Sequence, residues 1–310
     1  ARAQGVGLRS GDGIITGVSL ASGQGLTLMI STLLLGGPLG LLDPVDHRAA
    51  LVTLAMPEFR FWWASPHFAG ALGRCRLTMP ARAPDVCLVS SPIPRAVFDA
   101  FRDRFGVPLR QAYSSTETGP IAAESAPAAE VRHGTVGLPL PGVEVRVGPH
   151  PATPLRQGDT GRIWVRSRWQ MAGYGFPPQV ERPGDVDGWC PTRDLGRFDP
   201  DRRLVLAGRM DDCIRTRDGR LVDLAVVARS LREIGGVRDA AVVPFQGPWG
   251  SSFGAVLECD SSNDVAELQC DKVKLPPWAW PRKFAVVRSL PRLPNGKLDR
   301  RSCQALLAGA

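Results

Sequence analysis

The chain has 310 residues, 44% hydrophobic and 22% charged, which is room for one large domain or two ordinary ones in a soluble globular protein. Its formal net charge of +8 is spread along the sequence, with no Lys/Arg block interleaved with aromatics, so no nucleic-acid interface is expected. Seven irregularly spaced cysteines without a Cys-x-x-Cys, and four scattered histidines, predict neither a disulfide framework nor a zinc site; the reduced thiols of a cytoplasmic protein are expected.

An apolar stretch over 26–42 is roughly 17 residues and is interrupted by Gly36-Gly37-Pro38, so it is too short to span a membrane. It reads instead as a buried helix over 26–35 and a short strand over 39–43. The chain does not open on a charged-then-apolar signal pattern, and no signal peptide is expected. Residues 86–90 form an apolar run bounded by Pro84 and Pro92, which predicts a core strand. The segment 94–105 then places Val97, Phe98, Phe101 and Phe105 on one helical stripe, and 108–113 returns to strand. This strand–helix–strand order predicts an α/β layer with a mostly parallel sheet.

After about residue 130 the pattern changes. Residues 143–147 and 162–166 alternate apolar and polar side chains between Gly and Pro, as half-buried antiparallel strands do, which predicts a small β-rich subdomain. A strand over 204–207 ends at Gly208. Beyond it the spacing predicts a hairpin around Asp218-Gly219, a helix over 223–234, strands over 240–244 and 254–258, and a last short helix near Arg300.

Tyr113-Ser114-Ser115-Thr116-Glu117 follows a predicted strand and has two readings. It is a helix N-cap with a capping carboxylate, or it is a phosphate site whose hydroxyls and backbone N–H groups donate to phosphate oxygens while the carboxylate holds Mg²⁺. The segment resembles the Tyr-Gly-x-Thr-Glu motif of the adenylate-forming superfamily: acyl-CoA synthetases, adenylation domains of nonribosomal peptide synthetases, and luciferases. Further segments resemble that family's motifs in its order. Ser90-Ser91-Pro92 corresponds to the small-residue loop beside adenine. Gly134-Thr135-Val136-Gly137 with Pro141-Gly142 corresponds to the entry to the β-subdomain. Gly161 to Arg166 with Gly173-Tyr174 resembles Gly-Glu-Leu…Gly-Tyr, and Thr192-Arg193-Asp194-Leu195-Gly196 resembles Thr-Gly-Asp-Leu-Gly. Gly208-Arg209-Met210-Asp211-Asp212-Cys213-Ile214-Arg215 resembles the hinge Gly-Arg-x-Asp-Asp-x-Ile-Lys. Pro294-Asn295-Gly296-Lys297-Leu298-Asp299-Arg300 matches the family's C-terminal lysine motif almost unaltered.

The resemblance implies an α/β protein whose large domain, residues 1–210, is partial. That domain would comprise an α/β layer over 1–130 and a β-rich subdomain over 131–210, followed by a small mobile α+β lid over 211–310. The family's Ser/Thr/Gly-rich phosphate loop is not found, and Gly7 to Asp12 resembles the stretch just after it, so the N-terminal subdomain is expected to be missing. The resemblance also assigns roles. Tyr113 stacks on adenine beside Ser90, Ser91, Pro92, Ser114 and Ser115. Thr116 binds phosphate and Glu117 holds Mg²⁺, Asp194 accepts from the ribose hydroxyls, and Arg209 approaches ribose or phosphate. Lys297 bridges the substrate carboxylate and the α-phosphate, and Asp211 is the pivot of the lid. The implied activity is that of an AMP-forming ligase, which activates a small carboxylic acid with ATP and transfers it to coenzyme A or to the phosphopantetheine of an acyl carrier protein. The alternative is a truncated, non-catalytic or partner-dependent relative that acts as a binding or scaffold protein.

The sequence also departs from the family's pattern. Ser114 and Arg193 replace glycines, Ser22 stands where acyl-CoA synthetases often have His, and Asp218 to Val222 departs from the usual Gly-x-x-Val pattern.

Overall fold

The computed structural model describes residues 7–43, 45–77, 82–176, 179–181, 187–215, 220–247, 250–259, 275–293 and 298–309. The chain divides into two compact units, Ala1–Ala207 and Gly208–Ala310.

The first unit begins with β1 (Gly13–Thr16), α1 (Gly23–Leu35), β2 (Leu39–Leu41), α2 (His47–Leu54) and β3 (Phe59–Ala64). It continues through α3 (Pro66–Arg74), β4 (Val86–Val89), α4 (Arg95–Phe105), β5 (Leu109–Ser115), β6 (Gly119–Ala123) and β7 (Leu138–Pro139). These seven strands make one sheet in the order β2-β1-β3-β4-β5-β6-β7. The first five run parallel, β6 runs antiparallel to β5, and β7 runs antiparallel to β6. Because both faces of the sheet are covered, its central strands are largely apolar and their alternate side chains feed two separate cores. Ile15, Trp62, Ala64, Cys87 and Val89 point to one face and pack with Leu51, Phe68, Leu72 and Phe101 of the helices. Ile14, Phe61, Trp63 and Leu88 point to the other, where they meet Leu28 of α1 and residues of the β-rich part.

The expected helix stripe is borne out in α4. Val97, Phe98, Phe101 and Phe105 are all buried, and Gly106 ends the helix in the left-handed conformation, φ 70°. The Phe101 ring lies 5.6 Å from Trp62 and 4.5 Å from Phe105, centroid to centroid. Truncation to Phe101→Ala is expected to remove about 3–5 kcal/mol of stability. That loss should be read as a lower urea midpoint at unchanged slope.

The helix expected over 26–35 exists as α1, capped by the Ser22 hydroxyl, which accepts from the Gly25 N–H at 3.0 Å. It is not buried all round. Leu28 and Thr32 are buried, but Leu33 and Leu34 are 73% and 83% exposed. An almost uniformly apolar segment gives no phase from which to read the covered face. Strands β1 and β3 and helices α2 and α3 were not expected. Phe59 to Trp63 is bulky on every position and carries neither helical nor alternating period.

The β-rich part consists of β8 (Val143–Val147), β9 (Gly161–Ser167), β10 (Tyr174–Phe176), β11 (Gln179–Glu181), β12 (Cys190–Phe198) and β13 (Leu204–Arg209). Strands β13-β12-β9-β8 form a second sheet, with β8 and β12 both antiparallel to β9. The two alternating segments expected to be antiparallel strands are β8 and β9, and Ile163 and Val165 enter the core behind the large sheet.

In the second unit β14 (Cys213–Arg215) pairs antiparallel with β15 (Leu221–Asp223), and the turn expected at Asp218-Gly219 lies outside the described residues. Helix α5 (Leu224–Leu231) is capped by Asp223. Strands β16 (Val237–Gly247) and β17 (Gly250–Cys259) form a long antiparallel ladder, roughly twice the length read from the sequence, and β18 (Phe284–Val287) adds in parallel. Alternation again separates two cores. Ala240 and Val242 pack with α5, while Ala241 and Val243 pack with Cys303 and Leu307 of α6 (Arg300–Ala308).

Candidate functional site

Parallel order puts the carboxyl ends of β1, β3, β4 and β5 on one edge of the large sheet, the edge outside which open α/β sheets hold ligands. Hydrogen bonds cross-link these ends. The Thr16 hydroxyl donates to the Trp63 carbonyl at 3.1 Å and accepts from the Val18 N–H at 3.0 Å. The buried Trp63 indole N–H points at the Ser90 hydroxyl, 3.4 Å away. Ser90, Ser91 and Pro92 follow β4 directly and are exposed.

At the end of β5, Tyr113 is buried and Ser114 and Ser115 are half-buried. The Ser115 hydroxyl accepts from the Thr118 N–H at 3.1 Å and lies 2.9 Å from the Thr118 hydroxyl. This closes a tight turn into β6 rather than the first turn of a helix, so the N-cap reading of Tyr113 to Glu117 is excluded. The turn leaves Thr116 exposed and Glu117 half-buried.

Asp194 reaches the same neighbourhood from β12. The pairing of β12 with β9 slips between Pro191 and Leu195, where more residues are inserted on β12 than on its partner. Such a bulge re-aims side chains. Thr192 clamps it by donating to the Ile163 carbonyl at 2.8 Å and accepting from the Asp194 N–H at 3.2 Å. A side chain at Gly196 would collide with Ile163 and with the Val205 carbonyl, its Cβ 2.7 and 2.8 Å from them. The aimed Asp194 carboxylate accepts from the Tyr113 hydroxyl at 2.6 Å across 81 positions of sequence. Glu117 is matched in the same way. Its Oε1 accepts from the Tyr174 hydroxyl at 2.5 Å, and its carbonyl accepts from the Met171 N–H at 2.9 Å. The hydrogen bond to Glu117, with a smaller contribution from burial, raises the Tyr174 phenol above its ordinary value.

Three expected site residues lie in the second unit. Arg209 closes β13 and is exposed. Gly208 before it has φ +144°, and a Cβ there would lie 2.6 Å from the Asp223 carboxylate. Asp211 falls in the 3-10 turn Met210–Asp212, with its side chain outside the described residues. Lys297 also lies outside them. The structure therefore brings together Tyr113, Ser114, Ser115, Thr116, Glu117 and Asp194, beside the loop of Ser90 to Pro92. Trp63, Thr192 and the hydroxyl of Tyr174 join them without having been singled out for a role from the sequence. A signal existed for Tyr174, since it is one of only two tyrosines in the chain and both fall in matched segments.

Among the described residues no three His, Cys, Asp or Glu side chains cluster as a metal cage. One oriented carboxylate among hydroxyls still fits Mg²⁺, which usually takes one or two protein carboxylates and completes its shell with water and substrate phosphates. Among the same residues no helix is long and apolar enough to cross a membrane.

Hydroxyl-bearing turns and oriented carboxylates thus gather at the carboxyl edge of a parallel sheet, the ligand-holding edge of α/β proteins. The family model "AMP-binding enzyme" matches residues 2–175, more than half of the chain, and the chain belongs to that family. It is 27% identical over 290 residues to 4-coumarate--CoA ligase-like 9 of Arabidopsis thaliana, covering 89% of this chain and 51% of that protein. It is 33% identical over 204 residues to p-hydroxybenzoic acid--AMP ligase FadD22 of Mycobacterium tuberculosis, covering 63% of this chain and 28% of that protein. The amide bond synthetase McbA from Marinactinospora thermotolerans shares the fold with a TM-score of 0.80 at 27% identity, over 98% of this chain and 64% of that one. The chain thus spans about half the length, or less, of these two curated relatives.

Proposed function

We propose that the chain carries the adenylate-handling site of an AMP-forming ligase that activates a carboxylic acid with ATP and passes the acyl group to a thiol. The observation that carries this reading is the pair of tyrosine-held carboxylates, Asp194 and Glu117, at the carboxyl edge of the parallel sheet. The names of the relatives support it: one is a CoA ligase-like protein and another an acid–AMP ligase.

The proposed chemistry runs in two steps. A carboxylate oxygen of the acid attacks the α-phosphorus of ATP, the bond to the bridging oxygen breaks, and pyrophosphate leaves with that electron pair. The thiolate of coenzyme A, or of a carrier protein's phosphopantetheine, then attacks the acyl carbonyl and expels AMP. In this reading Asp194 accepts from the ribose hydroxyls, for which an ionised carboxylate is a strong acceptor. Tyr113 and the loop of Ser90, Ser91 and Pro92 flank the base. Ser114 and Ser115 shape the turn that presents Thr116 to phosphate. Mg²⁺, when held at Glu117, offsets charge on the phosphates. Arg209 and Lys297 are the proposed cations of the second unit, and Asp211 is the proposed pivot of its movement between the two half-reactions.

The test is exchange of labelled pyrophosphate into ATP with a panel of aryl and aliphatic acids, together with calorimetry of ATP. Acid-dependent exchange is expected. ATP binding without exchange for any acid would leave the non-catalytic binding reading, and absence of both would sink the nucleotide site itself.

A further inference from the structure

We propose that Tyr174 is a positioning residue whose hydroxyl holds the Glu117 carboxylate in the orientation that takes the metal of a metal–ATP complex; this rests on the reading of Glu117 given above.

The chain contains two tyrosines, and each gives its hydroxyl to one carboxylate of the site. Tyr113 is a core residue, 7% exposed, whose burial alone explains its place. Tyr174 is 52% exposed, so the hydrophobic effect does not explain where its ring sits. Instead, the backbone around it is shaped to deliver the phenol. Gly173 and Gly175 on either side have φ of 150° and 100°.

The segment leading to Tyr174 crosses the Ser115–Gly119 turn at three points. The Met171 N–H donates to the Glu117 carbonyl at 2.9 Å. Trp169 lies against Gly119, where an added Cβ would be 3.2 Å from the Trp169 Cβ. The Tyr174 hydroxyl completes the set at 2.5 Å from Oε1 of a residue 57 positions earlier. The backbone contact fixes where Glu117 stands, and the phenol fixes which way its carboxylate turns.

The chemistry of the pair suits that task. A phenol donating to a carboxylate at about 2.5–2.7 Å is a short, charge-assisted bond that sets the carboxylate plane. A carboxylate has about four acceptor positions, so one phenol orients it without filling it. Orientation matters more here than in an all-protein cage, because no cluster of three acidic, His or Cys ligands exists among the described residues. With one protein carboxylate on the ion, its rotamer decides whether metal and nucleotide meet. Loss of such outer partners commonly weakens metal affinity by about 10- to 100-fold.

The experiment is calorimetry of ATP with and without Mg²⁺, and Mn²⁺ titration in the presence of ATP followed by electron paramagnetic resonance. The variants are Tyr174→Phe, Glu117→Gln and the double variant. In Tyr174→Phe the metal-dependent gain in ATP affinity and the Mn²⁺ affinity should fall about 10-fold or more. Metal-free ATP binding and the thermal midpoint should stay at wild-type values. The double variant should lose no more than Glu117→Gln alone, since the hydroxyl acts only through that carboxylate. Full metal dependence in Tyr174→Phe, with loss in Glu117→Gln, would overturn the inference and leave the role of Glu117 standing. Equal loss of metal-free and metal-dependent binding in Tyr174→Phe would also overturn it, by making the residue merely structural. Unchanged metal dependence in Glu117→Gln, or no ATP binding by the wild type, would remove the underlying reading and the inference with it.

Discussion

Lys297→Ala is expected to slow formation of the acyl-adenylate by about 10²–10³-fold, the usual cost of removing one preorganised group from developing charge. Transfer of a pre-formed adenylate to the thiol should run at the wild-type rate. The asymmetry follows from where negative charge builds. In the first half-reaction a carboxylate approaches a phosphorus already ringed by anionic oxygens, and an ammonium is worth most while that charge is developing. In the second, a thiolate attacks the acyl carbon and AMP leaves with the electron pair of the acyl–oxygen bond, a step the proposed movement of the second unit carries out with the lysine already withdrawn. The check is single-turnover kinetics of each half-reaction with the same preparation. Equal loss in both would contradict the proposed division of labour, in which the second unit presents Lys297 for one step and withdraws it for the other. An unchanged first step would remove Lys297 from the chemistry.

Much of this site was legible because the motifs are short and local. Tyr113 to Glu117 ends one strand, Ser90 to Pro92 follows another, and parallel order alone puts both at one sheet edge. What could not be read is how distant segments close on each other. The bulge that aims Asp194 depends on a slip against β9, and no property of Thr192 to Gly196 by itself reveals a slip in pairing. The bond from Tyr174 to Glu117 joins a two-stranded ribbon to a turn, and only tertiary structure supplies that pairing. The same limit explains the elements that were missed. Phe59 to Ala64 is a central strand because both of its faces are covered, and its run of Phe61, Trp62, Trp63 and Ala64 is apolar on consecutive positions and shows no alternation. In α1 leucines lie on both faces and the polar Thr32 on the buried one, so the sequence reveals a helix and hides which side meets the sheet.

Glu124→Gln is expected to destabilise the first unit by about 3–5 kcal/mol, the range for breaking a buried ion pair from one side. Glu124 sits just past β6 with its side chain 3% exposed, and its Oε2 accepts from Arg203 at 2.5 Å. Its Oε1 accepts from the Ala126 N–H at 2.9 Å, while Arg110 of β5 donates to the Ala126 carbonyl. Burial lowers the Arg110 guanidinium below its ordinary value, and the charge of Glu124 acts against that. The amide of a Gln would keep an acceptor for Ala126 but leave two guanidiniums without their shared carboxylate. Arg203→Met should cost less, because Arg110 still faces the Glu124 charge. The expected order, Glu124→Gln worse than Arg203→Met, separates a charge network from simple packing, for which the larger truncation would be the more damaging. Urea unfolding of both variants decides it, and the reverse order would reject the network. The consequence reaches the site, since Arg110 and Tyr113 share β5 while Arg203 and Asp194 share the β12–β13 hairpin. The ion pair ties the residue just past β6 to that hairpin, and the bond from Tyr113 ties β5, the antiparallel neighbour of β6, to the same hairpin. Loosening the first should widen the second, so Glu124→Gln should also weaken ATP binding in the surviving folded fraction, although Glu124 touches no part of the proposed nucleotide site.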